Sequence, residues 1–315
     1  MISALKAGLD VISTHLPVLL PPLALDALLW FGPRLSVVKW FTSTFDWMVK
    51  VSNGSGFTAE EINTARTAYV QIFQNFNLLS ILRTFPIGIS SLMTGKMPSH
   101  TPLGVRSVIE MGSPVNVFGW AFLLMLIGWT LGGLYFNWVS SVTGRGETVF
   151  RSGRAVTQTL LFSFVFTVFT IVIGVPVLIV LFILNLFGPT LMQVAIFVLA
   201  LFSAWIIVPV FFAPHGIYLR GQNALYSIYA SLRMARFTLP TSSMFVLVVF
   251  IVSQGLNYLW SVPSDDSWMM LVGIAGHAFV TTSLLAASFI YYRDMNTWLE
   301  LVFERLKPGT ATPQT

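Results

Sequence analysis

The chain alternates long stretches that are apolar on every side with shorter ones in which apolar and polar residues keep helical spacing. Two stretches dominate. Residues 160–187 and 190–213 carry no Asp, Glu, Lys or Arg, and a Gly188-Pro189 step joins them. Each exceeds the ~20 residues that cross a ~30 Å hydrocarbon core as helix. A soluble helix keeps one polar face. These stretches keep none, so they predict a membrane hairpin, with Gly174 and Pro176 kinking its first arm. The same pattern predicts spans at 115–139, 241–260 and 268–291. A further span is expected at 15–38, bent or broken near Pro21-Pro22, because proline removes a backbone donor and clashes with the preceding turn. The fold class is therefore all-α: a polytopic transmembrane helix bundle of about six spans, with two interfacial amphipathic helices.

The helically spaced stretches supply those two and the chain ends. Residues 1–15 read as an amphipathic lead-in, with Leu5, Leu9 and Ile12 on one face beside Lys6 and Asp10. After a loop at 51–56, Thr58 is placed as an N-cap with Glu61 as its capping-box partner, and Phe57 and Ile62 as a hydrophobic staple. The helix they open carries Ile62, Ala65, Tyr69, Ile72, Phe76 and Leu79 as one stripe and ends near residue 83. Polar residues interrupt it too often for a span, so it lies on the bundle or in the interface plane. Residues 86–114 hold Pro86, Pro98, Pro102 and Pro114, but also Ile87, Ile89, Leu92, Met93 and Leu103. That apolar content predicts an ordered cover, which a disordered linker would not carry. Residues 214–240 read as the second amphipathic segment, with Leu225, Ile228, Leu232 and Ala235 as its stripe and Arg220, Arg233 and Arg236 flanking it. The organisation is thus 1–38, a lead-in and broken first span; 39–114, an extramembrane helix and loop; 115–292, a five-span bundle including 214–240; and 293–315, a charged terminal helix and frayed tail. The alternative for 15–38 is a re-entrant hairpin.

Composition sharpens the class. Charged residues are 9% and hydrophobic residues 55% of the chain, where a soluble domain carries roughly 25% charged. The net charge of +5 suits basic loops on anionic lipid, and no concentrated basic face for nucleic acid is present. Cysteine is absent, which excludes disulfides, thiolate metal sites and a Cys nucleophile. The N-terminal sequence reads as lacking a cleavable signal. Basic residues set the expected orientation. Residues 140–154 (Arg145, Arg151 and Arg154 against Glu147), 214–240 and the C-terminus are basic, whereas the turns at 187–189 and 263–267 have no Lys or Arg. The basic ends are expected in the cytoplasm of a bacterial plasma membrane, and 39–114 outside. Trp30, Trp40, Trp47, Trp120, Trp138, Trp260 and Trp268 fall at expected span ends, as an aromatic belt.

Candidate chemistry is sparse. Asp26 is an intramembrane carboxylate, a functional site by default; it either pairs with Arg34 inside the bundle or caps a helix that restarts after Pro22. Other intramembrane carboxylates are missing, which argues against a proton-coupled pump. His277 sits mid-span among Gly273, Gly276 and Ala278. A helical His beside small residues suits a tetrapyrrole metal; the other reading is a His bonded across a close helix interface made with Ala278, Thr282 and Ala286. Gly128-x-x-x-Gly132 is a helix-packing motif. His15, His100 and His215 read as interfacial, and Asp265-Asp266 as a polar cap. No Gly-x-Ser-x-Gly elbow, Ser-Lys pair, His-Glu-x-x-His or phosphate loop occurs, and Gly144-Arg-Gly146 is only a turn.

From Ala224-Leu-Tyr-Ser-Ile-Tyr-Ala-Ser-Leu-Arg-Met, through the last two spans, to Tyr291-Tyr-Arg-Asp294, the C-terminal third resembles bacterial six-span proteins grouped around the membrane domain of glycerophosphodiester phosphodiesterases. There, an amphipathic Ser/Leu/Arg segment precedes a last hairpin. The resemblance implies a membrane domain without an active site of its own. The leading functional reading is a non-enzymatic structural or accessory subunit of a membrane assembly. Its partners would be other membrane subunits or a second copy, with Arg220, Arg233 and Arg236 on lipid headgroups or a partner. The second reading is a transporter or lipid-handling permease working through Asp26, Pro21-Pro22, Gly174 and Pro176. The third is a tetrapyrrole-binding subunit through His277.

Overall fold

The computed structural model describes residues 1–51, 58–144 and 152–305. In chain order it runs α1 (Ile2–Thr14), a 3-10 turn at Leu16–Leu19, α2 (Leu20–Phe31), β1 (Arg34–Ser36), α3 (Val38–Val51) and α4 (Ala59–Phe73). A second 3-10 turn at Leu78–Leu82, α5 (Met93–Lys96), β2 (His100–Thr101), β3 (Gly104–Val105) and β4 (Val108–Glu110) follow. Five long helices complete the chain: α6 (Pro114–Thr143), α7 (Ser152–Phe187), α8 (Pro189–Arg220), α9 (Ala224–Trp260) and α10 (Met270–Arg305). The shortest of the five has 30 residues, so each exceeds ~40 Å. All five are long and apolar enough to cross a membrane, and the count becomes six if α1 and the Leu16–Phe31 run form one broken span.

That first span differs from the expectation. The break falls at His15, and Pro21 and Pro22 sit in the first turn of α2. In a first turn the missing N–H has no intrahelical partner to lose, so proline starts this helix instead of breaking it. With 12 residues, α2 reaches only ~18 Å. The loop at 51–56 with Phe57, the Arg145, Glu147 and Arg151 loop with the 144–146 turn, and the tail at 308–315 lie wholly or mainly outside the described residues. The capping box is present: Thr58 Oγ1 accepts from the Glu61 amide at 3.2 Å, and Glu61 Oε2 accepts from the Thr58 amide at 2.7 Å. Its helix stops at Phe73, however, because Asn77 turns the chain. Asn77 is buried, and its Oδ1 accepts from the amides of Leu79 and Leu35, both at 3.1 Å.

The chain divides into two units, one of Met1–Leu16, Phe136–Val252 and Thr282–Thr315, the other of Pro17–Tyr135 and Ser253–Thr281. In the first, α1 lies against α10 through small residues. A Cβ added at Gly8 would stand 2.7 Å from the Cβ of Ala287. The buried face of α1 is Ala4, Gly8 and Ile12, and Leu9 is exposed, so the helix is rotated from the expected Leu5/Leu9/Ile12 face. The core gathers Phe212, Met234, Phe245, Tyr291 and Tyr292. Phe245 and Tyr291 stack with ring centroids 4.0 Å apart.

In the second unit, β1 pairs in parallel with β4, Leu35 opposite Ile109, and β2 pairs antiparallel with β3. Arg106 clamps this region: its Nε and Nη2 donate to the Gly32 carbonyl and its Nη1 to that of Pro98. Partial burial pushes the Arg106 guanidinium below its ordinary pKa. Ile87, Ile89, Leu92 and Met93 are buried as an ordered cover requires, but Leu103 is exposed.

Two further corrections concern the C-terminal half. Residues 214–240 are not a separate amphipathic helix. They are the end of α8 and the start of α9, joined at Gly221, whose φ of 60° suits glycine. The terminal helix expected at 293 is likewise the continuation of α10.

Candidate functional site

The level of the bilayer on the first unit is set by charge. On α9, residues 237–260 hold no Asp, Glu, Lys or Arg; on α10, residues 270–292 hold none; on α8, residues 189–219 hold none. Arg220, Arg233, Arg236 and Arg293 therefore mark one hydrocarbon boundary. Several contacts fix the ends of the helices there. Ser227 Oγ donates to the Ala213 carbonyl at 2.5 Å, and the Ala224 amide donates to Gln158 Oε1 at 2.8 Å. A Cβ at Gly216 would meet the Ser227 hydroxyl of α9 and, at 3.0 Å, the Tyr292 hydroxyl of α10, so side chains of both helices reach the α8 backbone here.

Between these ends lies a pocket of about 220 Å³. Buried Met234, Tyr292 and Leu299 line it, with Tyr226, Tyr229, Phe237 and Phe303 around them. Arg220 and Arg233 also line it. Arg220 Nη2 lies 2.7 Å from Glu300 Oε1, and the Arg233 guanidinium sits 5.8 Å from the centroid of Phe303, in cation–π range. Two of the three expected arginines thus meet in one pocket; Arg236 is exposed and outside its lining. The stripe of α9 is also rotated. Ser227, Ser231, Ala235, Thr238 and Ser242 are buried, whereas Leu225 and Leu232 are exposed.

Asp26 is fully buried. Its carboxylate accepts from Ser91 Oγ at 2.5 Å, the Leu92 amide at 3.1 Å and the Met93 amide at 3.0 Å. These donors belong to the turn that opens α5. The carboxylate therefore caps a helix, but a different one from that expected, and Arg34 is not its partner: the Arg34 Nε is buried without a hydrogen bond. Three donors on one carboxylate make a joint between α2 and the 91–93 turn.

His277 is buried with Nε2 unpartnered. The clearance at Gly273 and Gly276 is filled by Trp260: a Cβ at Gly276 would lie 2.6 Å from the indole Cε3, and one at Gly273 would strike the Trp260 carbonyl. Ala278, Thr282 and Ala286 are fully buried. Gly128 and Gly132 do pack closely, but their neighbours are Leu82, Thr84 and Gly88, not another span.

His215 is buried, not interfacial. Its Nε2 lies 2.7 Å from Ser288 Oγ, and Phe289 is 4.5 Å away between centroids. Its signal in the sequence is Phe211 and Phe212 one turn before it, on the same face. In the second unit, Lys96 Nζ forms an ion pair with Asp265 at 2.8 Å and donates to the carbonyls of Ser261 and Pro263. Trp30, expected in the interfacial belt, is buried and donates to the Asp265 carbonyl at 2.9 Å. Asp265 is thus a structural anchor, and only Asp266 behaves as a plain polar cap; the Ser264 hydroxyl bonded to it holds its pKa below the usual carboxylate value.

Five charge-poor helices of this length, with polar groups gathered at their ends and at buried joints, define a multi-pass helical membrane protein. Compared with family models, curated proteins and solved structures, the chain matches none.

Proposed function

We propose that this protein is a non-enzymatic structural or accessory subunit of a bacterial inner-membrane assembly, oriented with the Arg220 and Arg293 end in the cytoplasm. The observation that carries the reading is the α7–α8 hairpin. None of the most apolar window of α7 is buried, and only 12% of that of α8. The charge-free stretches of the two arms, 160–187 and 190–213, are about 42 and 36 Å long as helix, against a hydrocarbon core of ~30 Å. Tilt alone would have to reach about 45° for the first arm, just beyond the 0–40° range of membrane helices, and about 35° for the second, near its upper end. Packing against a neighbouring subunit would hold the hairpin at so large a tilt. The orientation is supported by the positive-inside rule, since the opposite turns at 187–189 and 263–267 lack Lys and Arg.

The test is photo-crosslinking in the native membrane from a reactive residue placed at the exposed Phe182, followed by native mass measurement after extraction in mild detergent. Adducts to a second polypeptide, or to a second copy, are expected. Lipid-only adducts together with a stable lone monomer would overturn the reading.

A further inference from the structure

We propose that the pocket at the ends of α8, α9 and α10 binds the phosphate-bearing headgroup of an anionic amphiphile. It lies at the level where the charge-free stretches of these helices end, which is headgroup depth. Its charge favours an anion: two arginines against one Glu300. Arg220 is tied to Glu300 at 2.7 Å, which fixes its guanidinium and leaves other N–H donors free to point into the pocket. Arg233 forms no ion pair among the described residues, and the face of Phe303 holds it in place. Arginine is the side chain suited to a phosphate, since its planar donors engage two oxygens at once. Tyr226 and Tyr229 add amphipathic walls, each an apolar ring that carries a hydroxyl.

Size sets what enters. At about 220 Å³ the pocket is below the ~300–1,000 Å³ that encloses a whole drug-sized ligand. A phosphate with its glyceryl carbons fits, and acyl chains would remain outside along α9, where Phe237 is exposed. The shared chemistry is a phosphate ester on a short polyol, from a bilayer lipid or a soluble phosphomonoester. This inference stands apart from what covers the α7–α8 hairpin.

The experiment uses the full chain in nanodiscs of mixed phosphatidylglycerol and phosphatidylcholine, with retained lipid counted by native mass spectrometry. The expected result is preferential retention of phosphatidylglycerol, lowered about tenfold by Arg233→Gln and by a smaller factor, about threefold, by Arg233→Lys, which keeps the charge but not the planar donors. Arg305→Gln removes the same charge outside the pocket lining and is expected to change retention less than about twofold. Thermal melting of each variant separates lost binding from lost fold. In parallel, ³¹P NMR with glycerol 3-phosphate in pure phosphatidylcholine discs tests the soluble source. Broadening there that Arg233→Gln abolishes assigns a soluble ester; retention without it assigns the lipid. Equal losses from Arg233→Gln and Arg305→Gln, or neither ligand bound, would overturn the proposal.

Discussion

α7 and α10 are both 36 residues long and both apolar, yet none of the most apolar window of α7 is buried against 56% of that of α10. The difference lies in side-chain size. Residues 164–184 of α7 are Phe, Val, Leu and Ile apart from Thr167, Thr170, Gly174 and Pro176; on α10, residues 273–288 include Gly273, Gly276, Ala278, Thr282, Ser283, Ala286, Ala287 and Ser288. Lipid tails solvate a leucine as well as another helix does, so apolarity gives no reason for two membrane helices to associate. Small residues do, because they let backbones approach and bring hydroxyls within bonding distance. The same rule explains why α1 buries Ala4 and Gly8 and why α9 buries serines.

The contrast breaks most visibly at polar joints, which on the hairpin, among the described residues, are confined to the end that holds Thr159, His215 and Tyr218. Asp26→Leu leaves the Ser91 hydroxyl and two amides without an acceptor. At ~1–3 kcal/mol for each buried group left unsatisfied, the expected loss is about 4 kcal/mol. Asp26→Asn should recover about half, since its carbonyl oxygen still accepts. Thermal and denaturant unfolding in detergent would measure both. If Asp26→Leu melts like the parent, the joint carries no stability. Next comes packing. Ala286→Leu, at a fully buried position of α10, is expected to cost about 2 kcal/mol through overpacking. Leu178→Ala, on the exposed face of α7, should change stability by less than about 0.5 kcal/mol. Equal losses would mean that the hairpin packs within the monomer.

What the sequence reveals follows the same division. The two arms of the hairpin and its turn are legible, though not the end of α8 beyond Pro214, because a charge-free stretch with a Gly-Pro step needs no knowledge of partners; Gly188 has the positive φ of 143° that glycine tolerates. The Thr58–Glu61 cap is legible because both partners lie within one turn. By contrast, the partner of Asp26 lies 65 residues away and β1 pairs with a strand more than 70 residues on, and no local pattern announces either. The stripes on α1 and α9 are misread for another reason: choosing the large apolar residues as the buried face is a rule for water, and lipid reverses it. His215 is misplaced because Pro214 reads as a span end, yet α8 continues through it.

An effect smaller than the overpacking loss is expected at the first turn of α4, since the contacts of α4 with Phe41 and Phe45 of α3 fall on its later turns, at Tyr69 and Phe73. No residue of α4 is buried, so its first turn depends on its own cap. Thr58→Ala should cost about 1 kcal/mol of local stability. The two Thr58 donors, backbone N–H and hydroxyl, hold the Glu61 carboxyl below its ordinary value of 4.5. A depressed carboxylate stabilises the folded turn above its unfolded pKa and ceases to as the pH falls through the lowered folded value. Amide exchange over residues 59–62 of the full chain, corrected for intrinsic rate, should therefore show protection that is flat from pH 7 to about 5. Protection should then decline below 4.5, the ordinary value. Glu61→Gln, which cannot ionise, should show lower protection at neutral pH and no such decline. A decline of equal size in Glu61→Gln would assign the pH dependence to other carboxylates and leave the cap with no part in it.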